Sequence, residues 1–103
     1  MKINGWEVRR YLDGRAEMWM EHTITGAISN PMGSLYRSAD TLVSYPIELS
    51  EVLGVFVVAN NGNAQADLVS YNNNSLTYHL VYGGSVSASN RTSFIRVEGY
   101  VSL

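Results

Sequence analysis

The stretch GWEVRRYLDGRAEMWMEHTIT, residues 5–25, decides how this chain is read. Two runs of strand-preferring residues, 5–12 and 15–25, flank Asp13-Gly14, the strongest short-range hairpin signal. A two-residue turn at that point sets Leu12 opposite Arg15, Arg10 opposite Glu17, Val8 opposite Trp19 and Trp6 opposite Glu21. Strand alternation then collects Glu7, Arg9, Tyr11, Ala16, Met18, Met20, His22 and Ile24 on the other face. In this register both faces mix large apolar with charged groups. A lone antiparallel sandwich leaves one face of each sheet clearly polar. The pattern therefore predicts a second contact surface, most simply with another copy of the chain.

The rest of the chain also reads as strands. Val, Ile, Thr and aromatic residues recur, while nine Gly and many Asn and Ser punctuate the runs. No window holds an apolar stripe at helical spacing bounded by caps; Ser50-Glu51-Val52-Leu53 runs at once into Gly54 and a β-branched segment. Residues 26–40 read as a long loop, with Asn30-Pro31 and Gly33-Ser34 as turns and a short strand at Leu35–Arg37. A short strand follows at 41–45, stopped by Pro46. Residues 52–59 are apolar almost throughout, as in a strand covered on both faces. Turns at 60–63 and 72–74 bound strands at 64–71 and 75–82, and in the latter Leu76, Tyr78, Leu80 and Tyr82 share a face. A Gly/Ser/Asn loop spans 83–92. In a last strand at 93–103, Ile95, Val97, Val101 and Leu103 face one way and Phe94, Arg96, Glu98 and Tyr100 the other. Six to eight strands with turns every 8–12 residues predict an all-β, antiparallel β-sandwich in one domain, residues 1–103.

Composition narrows the function classes. The 103 residues are 46% hydrophobic and 16% charged, which argues against disorder. Without cysteine there is no disulfide framework and no thiolate ligand or nucleophile. A net charge of −2, with Lys2 the only lysine, points away from nucleic acid and anionic membranes. Nothing approaches a membrane-spanning run, and residues 1–10 lack the apolar core of a secretion signal. The expectation is a protein made in the cytoplasm, without membrane insertion.

Catalytic readings find little to stand on. Glu17 and Glu21 share a strand face, but four residues of strand separate their Cα atoms by roughly 13 Å. Glycosidase carboxyls sit about 5 to 9.5 Å apart. A cross-hairpin pair between Glu17 and Arg10 is the plainer reading. His22 and His79 show no metal-ligand spacing, and a site would need Asp13, Asp40 or Asp67 from distant strands. No G-x-S-x-G elbow accompanies the serines, and Gly83-Gly84-Ser85 precedes no helix that could cradle phosphate. We therefore expect no catalytic residues, no metal and no cofactor. What remains is binding chemistry in the turns: Tyr71, Asn73, Tyr82, Asn90 and Arg91 are the candidate ligand contacts. Aromatic faces suit the apolar side of a sugar ring, and amide or guanidinium groups suit its hydroxyls. The alternative is that Asn, Gly and Ser simply supply turn geometry.

The pattern Gly5-Trp6 followed by Arg10-Tyr11-Leu12-Asp13-Gly14-Arg15-Ala16-Glu17-Met18-Trp19 resembles the opening hairpin of a module at the C-terminal end of bacteriophage and prophage tail-fibre and minor structural proteins. The downstream order is also similar, with Gly33-Ser34-Leu35-Tyr36, then Tyr45-Pro46, an apolar strand, two hairpin strands and a closing strand. The resemblance implies an H-type-lectin-like receptor-binding head, assembled as a homotrimer within the virion. Such a head sits with other tail or fibre proteins and recognises host cell-surface glycan. Its loops carry no motif by which sugar contacts could be transferred to this chain. A purely structural trimerisation or capping domain is the first alternative. A polysaccharide-degrading tail enzyme is the second, disfavoured by the carboxylate spacing.

Overall fold

The computed structural model describes residues 1–60 and 64–101. Ten strands are seen among them: β1 (Lys2–Ile3), β2 (Trp6–Arg10), β3 (Arg15–Ile24), β4 (Asn30–Met32), β5 (Leu35–Arg37), β6 (Thr41–Ser44), β7 (Glu51–Ala59), β8 (Gln65–Tyr71), β9 (Ser75–Tyr82) and β10 (Arg91–Tyr100). Seven of them have four or more residues, so the count expected from the turns matches the longer strands. All pairings are antiparallel. One sheet has the order β1-β2-β3-β10-β7. In the other, β9 lies between β8 on one side and β5 with β6 on the other. The fold is an all-β sandwich.

The opening hairpin differs from expectation by one residue, and the difference matters. Tyr11 N–H bonds Arg15 O (2.9 Å) and Gly14 N–H bonds Tyr11 O (3.1 Å). The connection is thus a three-residue loop, Leu12 to Gly14, with Gly14 at φ 94°. This is a turn closed by a glycine in left-handed conformation, the commonest three-residue hairpin loop. Val8 consequently faces Met18, Arg9 faces Glu17 and Glu7 faces Trp19. Trp6, Val8, Ala16, Met18 and Ile24 now share the buried side. The mixed faces predicted from a two-residue turn do not exist, and the Glu17–Arg10 pair is replaced by Glu17 against Arg9.

The core forms between the sheets. Trp6, Val8, Met18, Ile95 and Val97 come from the first, and Val43, Leu76, Tyr78 and Leu80 from the second. Each such side chain contributes about 1.5–3 kcal/mol on burial. β10 alternates buried and half-buried along its whole length, as its sequence predicts; Leu103 lies outside the described residues. Trp6 packs edge-on to Tyr45 at 6.2 Å. Burial pushes the Tyr45 hydroxyl up to about 12, so it stays protonated.

The structure corrects three further expectations. The apolar segment at 52–59 is an edge strand, with Leu53, Phe56 and Val58 exposed at 51%, 55% and 59%. Continuous apolarity marks one covered face and one open face here. Residues 26–40 are more ordered than a loop: β4 and β5 form a hairpin about Gly33, and Ile28 bridges Val86. Within the proposed loop at 83–92, Arg91 already belongs to β10. Of the turn at 60–63, positions 61–63 lie outside the described residues.

Two bulges and one interruption shape the edges. Between β7 and β10 the register shifts so that Leu53 has no partner, with Glu98 against Gly54 and Gly99 against Val52. Gly99 is needed there because a methyl group would fall on the carbonyl oxygen of Glu51 and within 2.8 Å of the Leu49 side chain. Val69 is the unpaired residue between β8 and β9. Between β5 and β6, Ser38 keeps the ladder going: its N–H donates to Leu80 O, and its hydroxyl oxygen accepts from Leu80 N–H, both at 2.9 Å. Ala39 and Asp40 then bow outward before Thr41 rejoins β9 opposite Tyr78.

Gly99→Ala is expected to lower stability by about 2 kcal/mol or more, because both clashing neighbours are packed. Gly54→Ala should cost clearly less, since only the swinging ring of Phe56 lies in its way. Urea unfolding of the two variants checks the ranking, and a reversed order would contradict the β7–β10 packing described.

Candidate functional site

The structure divides the five sequence-predicted contacts into two groups. Tyr71 is exposed at the end of β8, and Asn73 sits in the following turn. Tyr82 closes the other end of β9, about 20 Å away at strand rise, and Asn90 and Arg91 lie at the start of β10. No single ligand site of ordinary size unites all five.

Their local roles also differ. Asn72 Oδ1 accepts the N–H groups of Asn74 and Ser75, an Asx turn. The Asn73 carbonyl takes Leu49 N–H at 2.9 Å, and Asn73 borders a depression of about 390 Å³ with Arg10, Glu48 and Ser50. Tyr82 is half-buried against the core, cross-strand from Tyr36. Asn90 is exposed. Arg91 is 7% exposed, and its guanidinium donates to the carbonyls of Gly26 (3.2 Å), Ser87 (2.9 Å) and Ser89 (3.5 Å). It fastens two loops together from beneath.

The richest chemistry lies on the outer face of the β1-β2-β3-β10-β7 sheet, where the corrected hairpin register places it. Cross-strand rows run Glu7–Trp19–Arg96–Phe56, then Glu21–Phe94–Val58, then Arg9–Glu17–Glu98–Gly54. Trp19 has the guanidinium carbons of Arg96 and Arg9 at 5.7 and 5.8 Å from its ring centre, and Arg15 stands 4.2 Å over Tyr11. These distances are within the range of cation–π attraction. Beside them a shallow groove of about 350 Å³ is bordered by Lys2, Glu7, Trp19, Glu21 and Phe94.

An ionic hub organises this face. Arg96 donates to Glu17 Oε2 at 2.6 Å and to Glu98 Oε1 at 3.0 Å, and Tyr11 O–H donates to Glu17 Oε1 at 2.8 Å. Arg15 stands 3.7 Å from the same carboxylate. The Glu17 side chain is only 12% exposed although it points outward, because these neighbours close over it. The Tyr11 hydroxyl, then Arg96 and Arg15, hold its pKa below the usual carboxylate range. Glu98, and then Glu17, raise that of Arg96.

Sequence reasoning weighed Glu17 with Glu21 and missed Glu17 with Glu98, which are direct cross-strand partners. Their separation is short enough for a glycosidase pair, about 5 Å between opposed side chains. The chemistry does not follow. A general acid must hold its proton at working pH, whereas one guanidinium donates to both carboxylates and Glu17 is driven toward ionisation.

A second hub sits on the outer face of the other sheet. His79 Nδ1 meets Asp40 Oδ1 at 2.9 Å, and Nε2 meets Asp67 Oδ2 at 3.0 Å. Asp67 is the cross-strand partner of His79, while the outward bow after Ser38 delivers Asp40. Arg37 lies 3.4 Å from Asp40. The hydrogen bond from His79, and then Arg37, lower the Asp40 pKa. The combination of a histidine with Asp40 and Asp67, raised for metal binding, is thus a staple in which both ring nitrogens lie within hydrogen-bond distance of carboxylates. Register between strands far apart in sequence was the missing signal.

No family model matches the chain, and neither a curated protein nor a solved structure matches it.

Glu17 and Asp40 contribute stability in full above the ordinary carboxylate values, near pH 4, and lose it as pH falls through their depressed ones. The fall in melting temperature below about pH 4 should therefore shrink when Glu17→Gln and Asp40→Asn are combined. Thermal denaturation across an acid pH series checks this. An equal acid-side fall in the double variant would assign it to other carboxylates.

Proposed function

We propose that this domain is a non-enzymatic glycan-recognition module of the phage-tail receptor-binding kind, working as a homotrimer. The observation that carries the glycan reading is the outer face of the first sheet. Trp19, Phe94 and Phe56 stand there among Arg9, Arg96, Glu7 and Glu21, with a groove beside the first two. Aromatic rings offer an apolar platform for the C–H face of a sugar, and the neighbouring charged groups can hydrogen-bond its hydroxyls. A flat strand-borne platform suits a polymer lying across it. The tail-fibre setting rests on the resemblance of the first hairpin.

Self-association has a different support from the one first expected. The two mixed hairpin faces are gone, but β7 presents Leu53, Phe56 and Val58 on an edge, continuous with Phe94. An exposed apolar strip on an edge strand favours cover by a partner. The same strip favours the second reading, a capping domain that trimerises without binding sugar.

One set of measurements separates the readings. On a bacterial surface-glycan array the protein should give signal that Trp19→Ala or Phe94→Ala lowers by about tenfold or more. Light scattering should give a mass near three times 11.4 kDa. A trimer silent on the array would favour the capping role, and a monodisperse monomer at high concentration would end the trimer proposal. Release of reducing sugar from host polysaccharide, abolished by Glu98→Gln, would overturn the non-enzymatic assignment.

A further inference from the structure

β3 is ten residues long, but β2 pairs with it only over Ala16 to Trp19. Beyond that point, among the described residues, β3 keeps β10 as its sheet neighbour on one side and faces the β5–β6 connection across a gap. The gap is an open cleft of about 430 Å³ between the two sheets, within the usual range for small-molecule sites.

Its lining is unusual for this protein. Among the described residues, none bordering the cleft is a carboxylate, lysine or arginine, and the polar ones include His22 and Thr25 on one side, Ser29 and Asn30 at the end, and Thr41 on the other; Thr23 also borders it, but its hydroxyl is turned to that of Thr92 at 3.4 Å. The two ionic hubs lie instead on the outer faces, and the Arg91 guanidinium beneath the rim is spent on the carbonyls of Gly26, Ser87 and Ser89. Ser38 also borders it but spends its hydroxyl on Leu80 N–H. Thr41 donates to Ala39 O at 3.3 Å and keeps lone pairs to accept with.

His22 fixes the polarity of the floor. Its Nδ1 lies 2.8 Å from the hydroxyl of Tyr78, a residue fully buried beneath it. Burial lowers the His22 pKa and raises that of Tyr78, so at neutral pH the ring is uncharged and the phenol protonated. One hydrogen bond joins Nδ1 to the phenol in either ring tautomer, which leaves Nε2 as the ring's second polar atom. Arg91 holds the rim from below through Gly26 O. A concave site offering several hydroxyls, one amide and one neutral imidazole, with no charged side chain on its lining, discriminates against ions through desolvation.

We infer that this inter-sheet cleft is a binding site for a neutral polyhydroxylated ligand the size of a single uncharged sugar residue. It is separate from the aromatic face, and either site could fail without the other.

The test is a titration of the isotope-labelled protein with methyl glucoside, methyl galactoside and methyl mannoside, followed by amide and imidazole chemical shifts. Glucuronate and glucosamine serve as charged controls of equal size. At least one neutral glycoside should give saturable shifts at Thr25, Asn30, Thr41 and the His22 ring. The charged controls should bind about tenfold more weakly or worse. Thr41→Val, which keeps the side-chain shape, and Asn30→Ala, at an exposed position, should each weaken binding by roughly fivefold. Trp19→Ala should leave it unchanged. The inference is overturned if no cleft signal saturates with any of the three glycosides up to about 100 mM, a range that covers even very weak sites. It is equally overturned if shifts gather at Trp19 and Phe94 instead, if glucuronate binds as well as the neutral sugars, or if neither cleft variant changes the affinity.

Discussion

The rest of the structure depends on the three-residue loop from Leu12 to Gly14. A left-handed residue at its third position lets the hairpin close at Tyr11 and Arg15, and glycine takes that conformation without the Cβ clash other residues meet. Since strand side chains alternate with a period of two, a loop shorter by one residue would exchange the faces of β2 relative to β3. Trp6 and Val8 would then lie on the same side as Glu17 and Trp19. With the observed loop they join Met18 and Ala16 in the core. The same choice brings Arg9, Glu17 and Trp19 together on the outside. Core and candidate binding face are therefore two results of one backbone conformation.

Much of the sandwich was legible because it depends on local pattern. The strand character of β9 and β10, the face shared by Leu76, Tyr78 and Leu80, the alternation of Ile95 and Val97 with Phe94 and Arg96, and the short strand at Leu35–Arg37 all follow from periodicity and turn residues. The hairpin register did not, because Asp-Gly serves both two- and three-residue loops. The covering of β7 did not either, since an apolar run looks the same in a central strand and in an edge strand whose outer face is left open. The candidate site was the least legible. Its residues were named from turn composition, whereas the structure gathers its charged and aromatic groups by pairing β3 with β10 across some 70 residues of chain. Asn72 and Arg91 show why composition misleads. An amide or guanidinium in a loop can serve backbone geometry as readily as a ligand.

The two outer faces share a device, a nitrogen-bearing side chain held between two carboxylates from different strands. Arg96 joins Glu17 on β3 to Glu98 on its own strand, and His79 on β9 joins Asp67 on β8 to Asp40 beside β6. Exposed ion pairs taken singly contribute little, but each of these spans a cross-strand step where register must hold. In the second sheet the pairs bracket the place where β5 and β6 are interrupted. His79 thus supplies there the continuity that the backbone ladder lacks between Ser38 and Thr41.

The choice of nitrogen-bearing group gives the two faces different chemistry. A guanidinium has five donors at every accessible pH, so the Glu17–Arg96–Glu98 hub fails only from the acid side, through its carboxylates. An imidazole carries only two ring nitrogens, and in the Asp40–His79–Asp67 staple each is set against one carboxylate oxygen, at 2.9 and 3.0 Å. His22, with a phenol as its partner in place of a carboxylate, needs no second proton to satisfy its neighbour. The chain's two histidines are thus set apart by their partners. One joins two carboxylates on a sheet surface, and the other meets a phenol at the floor of a cleft.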